Sequence, residues 1–343
     1  MKKKLLLIKP LDWVAFRAAK SFSTSEDSHF PNIKTFLGAL YGNLYNFEGK
    51  SAKEISQLMK EKALDITGPF LYKQNENDDI DIFFKKPAIL KKEKDNDNEC
   101  SDQIYDDKCS GQIYKAYIDK NIKFNIGKKE LNGLRYKKMD NLDDLNKNFI
   151  NLKELEDLKT GNLNIKDIEK NSPTNIPYKI ERKIGIELEK GKRRTKKGGL
   201  YSLNYFRFED NAGFCFFVEK DDLKLLEKYN TIKLGTKGKL ATIEVIEIDT
   251  TIFDKVNDVE KILYTLTPSF MESGILPKNS ENIQAIANYK SETIGFWNGV
   301  ENKPGELIKV VPVGSCYYTK GEIDSLTDEY DYYGFGKYIE LKR

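Results

Sequence analysis

Residues 179–218 constrain the chain most. Ile180, Ile184, Ile186 and Leu188 recur at even spacing, as do Leu203 and Tyr205 on the way back, which is the period-two signature of β-strands. Between the two arms stand Lys190, Lys192, Arg193, Arg194, Lys196 and Lys197, with no acidic residue among them. Glycines at 191, 198 and 199 let the backbone turn there. The pattern predicts a β-hairpin with a cationic tip. Alternation places Phe206 and Phe208 on one face of the returning arm and Arg207 on the other.

The type of cation matters. The chain has seven arginines among 57 basic residues, and four of them (Arg182, Arg193, Arg194 and Arg207) fall in this stretch. A guanidinium binds phosphate through paired hydrogen bonds and stacks on bases, which an ammonium does poorly. Tyr201, Tyr205, Phe206 and Phe208 lie around Arg207, and rings beside cations suit single-stranded RNA, whose bases stack on them. A solvated loop carries the same kind of charge run, so the tip alone does not choose between the two.

The remaining composition sets bounds. A chain of 343 residues, 39% hydrophobic and 12% aromatic, can bury a real core in two domains, or in one with large insertions. Net charge is only +3, so a nucleic-acid surface must be a local patch. The opening Met-Lys-Lys-Lys-Leu-Leu-Leu-Ile stops at Ile8, before Lys9, Pro10 and Asp12. It is too short for a secretory leader and predicts a first strand instead. No apolar window is long enough to span a membrane. Cys100, Cys109, Cys215 and Cys316 have no metal-ligand spacing, and His29 is the only histidine. No metal or cofactor is expected, and reduced thiols in a cytoplasm are the default.

Read in order, the apolar strand at Leu5–Lys9 continues through Leu11–Phe16. Pro31 opens an amphipathic helix with Ile33, Phe36, Leu37, Leu40 and Leu44. Ser51 and Glu54 form a capping box for a second helix. Leu64–Tyr72 reads as a strand broken at Gly68-Pro69, and Ile80–Phe84 as another. Residues 91–177 read as an insertion that decorates the core, with a helix over Leu142–Leu158. Gly213–Val218 is a fully apolar strand, and Asp221 or Asp222 caps a helix carrying Leu223, Leu226 and Tyr229. A glycine-rich turn from that helix then leads to a strand at Ala241–Ile248. This order predicts an α+β, ferredoxin-like (RRM-like) domain over 1–250 and a smaller β-rich domain over 251–343, with a short helix at Ile283–Tyr289.

Two further sites are candidates. Gly235-Thr-Lys-Gly-Lys239 lacks the phosphate-loop spacing and is followed by a strand, which argues against ATP hydrolysis. Lys237, Gly238 and Lys239 can still offer backbone N–H groups and cations to RNA phosphates, or form an ordinary turn. His29, beside Asp27 and Ser28, is the one imidazole that could serve a metal-independent ribonuclease. The competing reading is a loop histidine with no catalytic duty.

These stretches together resemble a known family. They are Pro10-Leu-Asp-Trp-Val-Ala-Phe-Arg17, Thr35-Phe-Leu-Gly-Ala-Leu40, Gly68-Pro69-Phe70, Arg182 with Gly185-Ile186, Gly199-Leu-Tyr201 and Phe206-Arg207. Leu234-Gly235 to Ala241, Leu266-Thr-Pro-Ser-Phe270, Val311-Pro-Val-Gly-Ser315 and Tyr333-Gly-Phe-Gly336 complete the set. Their order is similar to that of the third subunit of the Cmr (type III-B) CRISPR effector complex, in the RAMP superfamily. Ala18 departs from the family pattern, as does Thr236, where a second glycine is common. The resemblance implies ferredoxin-like domains and a non-catalytic, RNA-binding subunit of an antiviral ribonucleoprotein. It also implies that the subunit caps one end of the complex and holds the 5′ handle of the CRISPR RNA. Its protein partners would be the large polymerase/cyclase-like subunit and a backbone subunit. Arg17, Arg182, Lys192, Arg193, Arg194, Arg207, Lys237, Gly238 and Lys239 are then the RNA-contact candidates. An RNA-processing endonuclease using His29, and a scaffold whose basic tip meets an acidic partner, are the alternatives.

Overall fold

The structure, a computed structural model, describes residues 2–16, 30–61, 64–93, 113–138, 142–145, 148–161, 176–218, 228–301 and 303–343. It is α+β and rich in sheet. Strand β1 (Lys2–Pro10) is followed by helices α1 (Ile33–Glu48) and α2 (Ala52–Glu61), then β2 (Ile66–Gln74), β3 (Ile80–Lys85) and β4 (Leu90–Glu93). Next come β5 (Ile113–Lys115), β6 (Tyr117–Ile126), β7 (Lys129–Arg135), β8 (Leu142–Asp143), β9 (Phe149–Asn151) and α3 (Leu152–Thr160). The hairpin strands β10 (Tyr178–Leu188) and β11 (Thr195–Phe208) precede β12 (Ala212–Val218), β13 (Thr231–Leu234) and β14 (Lys239–Asp249). The C-terminal part supplies β15 (Glu260–Thr265), β16 (Ser269–Phe270), β17 (Ile283–Ala287), β18 (Glu292–Asn298), β19 (Lys303–Val311), β20 (Cys316–Lys320) and β21 (Tyr338–Lys342).

The main sheet has seven strands in the order β13-β14-β1-β12-β2-β3-β9, and every neighbouring pair is antiparallel. Its centre is apolar on both faces. Leu6, Ile8, Phe214 and Phe216 lie on one side with Phe36, Leu37 and Leu40 of α1. Leu5, Leu7, Cys215 and Phe217 lie on the other with Ile262, Tyr264, Tyr318 and Leu341, and with Leu155 and Leu158 of α3. The Phe36 ring meets Phe214 at 4.9 Å and Phe216 at 4.8 Å, both edge-on, the arrangement aromatic quadrupoles favour. A second sheet, β17-β20-β15-β21, provides the lower cover. Asn32 caps α1 by accepting from the Thr35 N–H at 3.2 Å, and Gly49 closes it at φ +69°.

Several expectations are corrected. The helix expected over Leu142–Leu158 begins only at Leu152. The side chain of Asn151 accepts from Glu154 N–H while Glu154 returns the bond to Asn151 N–H, and this capping box fixes the start. Phe149 and Ile150 are in β9, an edge strand of the main sheet, so the 91–177 stretch does more than decorate the core. Ile283–Ala287 is strand β17, because it pairs antiparallel with β20 from Ile283↔Thr319 to Ala287↔Cys316. Strand β2 runs through Gly68-Pro69, which is a cis peptide beside a bulge opposite Cys215 and Phe217. The first strand ends at Pro10, and residues 11–16 leave the sheet. The helix expected around Leu223 falls mostly outside the described residues.

Glycines in the centre and at the rim answer differently to a side chain. A Cβ on Gly213 would lie 2.3 Å from the Ile8 carbonyl oxygen, whereas one on Gly42 of α1 meets nothing within 4 Å. Gly213→Ala is expected to lose about 1–3 kcal/mol by forcing β1 and β12 apart. Gly42→Ala is expected to gain about 0.5–1 kcal/mol by restricting the unfolded chain. Urea denaturation followed by circular dichroism checks both signs.

Candidate nucleic-acid interface

The hairpin is a two-stranded ribbon outside the main sheet, paired in register from Tyr178↔Phe208 to Ile186↔Leu200. Directly opposed residues share a face, so the ribbon has two chemistries. One face is plugged at its root by Phe206 and Tyr178, whose rings meet at 4.9 Å in the main core. Farther out the same face shows Ile180, Ile184, Ile186, Leu188 and Leu200, all more than half exposed. The alternation therefore marks a strand, but not a buried one. Arg182 lies on this aliphatic face and donates to Ser202 Oγ at 3.0 Å.

The other face carries Lys183, Tyr201, Leu203, Tyr205 and Arg207. Leu203 and Tyr205 are buried against Ala15, with Trp13 packed beside them. Lys183 Nζ sits 3.1 Å from the centre of the Trp13 ring system, and the Arg207 guanidinium carbon 5.4 Å from it. Arg207 also lies 3.6 Å from Glu181. Arg182 and Arg207, both flanking cations in the sequence, are thus on opposite faces.

Residues 11–16 tie together two sequence-distant stretches. Val14 N–H donates to Phe206 O at 3.1 Å, and Phe206 N–H donates back at 2.7 Å. Thr236 N–H donates to Ala15 O at 2.9 Å, and Leu11 N–H to Leu240 O at 2.9 Å. The glycine-rich stretch joins strand β13 to β14 through a short 3-10 turn at Thr236–Gly238, not a helix to a strand as expected. Gly235 (φ +74°) must be bare, since a Cβ would lie 2.8 Å from Ala15 O. The Thr236 N–H is spent on Ala15, so Lys239 is the described cation this loop contributes. Lys239 is ion-paired with Asp12. That hydrogen bond, with a second from Trp13 N–H at 2.7 Å, holds the Asp12 carboxyl below its ordinary range.

The tip is less cationic than its sequence. Glu189 accepts from Arg194 at 2.8 Å and lies 3.1 Å from Lys192, and Glu187 accepts from Lys196 at 3.0 Å. Arg193 makes no ion pair among the described residues. Gly238 is exposed at φ +60°. Arg17, His29 and the Lys237 side chain lie outside what the structure describes. Trp13 and Lys183 were not among the residues singled out as contacts. Trp13 follows the first strand without periodicity, and Lys183 looks like any solvent-facing lysine until the ribbon folds it onto the indole. Among the described residues no cluster of His, Cys, Asp or Glu could hold a metal, and no helix is long and apolar enough to cross a membrane.

The fold and this surface define a sheet-rich α+β protein with an aromatic, cationic face at a hairpin root. The profile of the family described as CRISPR-associated protein (Cas_Cmr3) matches residues 6–336, and the chain belongs to this family, as its motifs led one to expect. It is 25% identical over 137 residues to the CRISPR system CMR subunit Cmr3 of Saccharolobus solfataricus, a match taking in 39% of this chain and 42% of that relative. Its fold is similar to a chain of the type III-B Cmr-beta complex bound to cognate target RNA and AMPPnP. The TM-score is 0.53 and the identity 16%, covering 92% of this chain and 86% of that one. A second structure of that complex with cognate target RNA gives a TM-score of 0.52 at 17% identity over the same shares.

Two outcomes test the geometry. Ile184→Ser and Ile186→Ser should each shift stability by less than about 0.5 kcal/mol, because both side chains already face water; denaturant midpoints read this. Asp12 has a depressed folded-state pKa, so its contribution is present above the unfolded value of about 3.9 and lost as pH falls through the folded one. The stability gap between wild type and Asp12→Asn should therefore be present at pH 6 and narrow as pH drops through about 4.

Proposed function

We propose that the protein is a non-catalytic, RNA-binding subunit of a cytoplasmic type III-B CRISPR ribonucleoprotein, holding the 5′ handle of the CRISPR RNA in antiviral defence. It caps one end of the complex and meets the large polymerase/cyclase-like subunit and a backbone subunit. Family membership supports the setting. One observation carries the RNA contact: residues 11–16 bring the hairpin root and the glycine-rich loop together, so that Lys183 and Arg207 lie on the Trp13 ring and Lys239 pairs with Asp12 next to it in the chain. Cations beside an aromatic ring are what a single strand requires.

A ferredoxin-like core fits the same picture. Strands β14-β1-β12-β2 lie side by side, which in chain order is fourth, first, third, second. We take residues 1–250 as that unit and 251–343 as a second, β-rich one.

The test uses the full chain and a labelled RNA of handle sequence, followed by anisotropy across salt concentrations. Arg207→Ala with Lys239→Ala should weaken binding at least about tenfold and flatten the log–log salt slope by about 1–2. Lys192→Ala with Lys196→Ala, at the tip and away from the Trp13 ring, should do less. Absence of saturable binding by the wild type, or an unchanged slope in the root variant, would overturn this function.

A further inference from the structure

The geometry points to Trp13 as a stacking shelf for one base of the bound RNA, capped in the free protein by Lys183, which transfers to a backbone phosphate when the base arrives. This rests on the RNA-holding function above and specifies one contact within it.

Trp13 is half-buried and held from below: Ala15, Leu203 and Tyr205 pack against it, and Val14 is tied to Phe206 by a reciprocal pair of backbone hydrogen bonds. A ring fixed in this way loses little freedom when a ligand stacks on it. Lys183 is exposed and makes no ion pair among the described residues, yet its ammonium lies 3.1 Å from the indole centre. Electrostatic attraction to the ring holds it there. Such a contact at an exposed site is weak enough to exchange for a charge-assisted bond to phosphate. Arg207 lies on the same ring at 5.4 Å. The site thus presents a π-face and two cations, matching the base and the flanking phosphates of a nucleotide. An acidic peptide would use the cations and leave the ring without a planar partner.

Only Trp13 and Trp297 are tryptophans, and Trp297 lies in β18 of the C-terminal part. Trp297→Phe therefore leaves Trp13 as the sole indole reporter. Titrated with handle-sequence RNA, its emission should be quenched in parallel with the anisotropy of the labelled RNA. Trp13→Ala should weaken binding about 5- to 150-fold with the salt slope unchanged, because stacking releases no counterion. Trp13→Phe should recover most of the affinity, and Lys183→Ala should lower the slope by about 1 while the quench persists. RNA that binds by anisotropy with Trp13 emission unmoved overturns the shelf and leaves the RNA function standing. Failure of RNA to bind by either readout overturns both. Quenching by polyglutamate but not by RNA assigns the face to an acidic protein and overturns the shelf. Trp13→Phe and Lys183→Ala keep the question decidable if Trp13→Ala does not fold.

Discussion

The structure depends on a pair of strands that has no solvent side. All seven residues of β12 are buried, and so are Leu5–Ile8 of β1 beside it. A strand in that position must find apolar cover on both faces and backbone partners on both edges. Helix α1 supplies the upper cover through Phe36, and the C-terminal sheet the lower through Ile262 and Tyr264. The edges are β14 on one side and β2 on the other. This demand explains the bare Gly213, where the β1 backbone comes too close for a methyl group.

That centre also explains how the surface site is held. The ribbon enters β12 through the turn after Phe208, and residues 11–16 leave β1 directly. Both arms of the site are therefore continuous with the two most buried strands. Phe16 and Phe206 lie 5.9 Å apart, and each is in the ring cluster around Phe214. Side chains such as Trp13 and Arg207, one or a few residues beyond these anchors, inherit their position from the core. A site built so close to rigid elements holds its geometry better than one on a free loop.

The strands of the main sheet were legible because their chemistry was local. Gly213–Val218 is apolar throughout, and α1 shows its three- and four-residue spacing plainly. Failures came where apolar spacing fits two periods. Leu145, Phe149, Leu152 and Leu155 suit a helix, yet Asn151 and Glu154 start one only at Leu152. In the site, alternation identified the ribbon but not which way it faced. Ile184 carries the alternation of a strand in the sequence and is 72% exposed in the structure, because no second sheet lies over that face among the described residues. Lys183 could not be found from sequence, since its partner Trp13 is 170 positions away along the chain.

The charge distribution then separates the two ends of the ribbon. At the tip, Lys192, Arg194 and Lys196 already face Glu187 and Glu189. Exposed pairs of this kind are worth little, roughly 0–1 kcal/mol, but the two glutamates offset part of the local field that a run of six cations would otherwise project. At the root, Lys183 and Arg207 face an aromatic ring, which attracts them without neutralising them. Arg207 also lies 3.6 Å from Glu181, whereas Lys183 makes no ion pair among the described residues. The densest cationic stretch of the sequence is thus partly paired with its own acids, while at the root two cations share one indole. Arg182, turned to the aliphatic face and bonded to Ser202, lies on the opposite side of the ribbon from both.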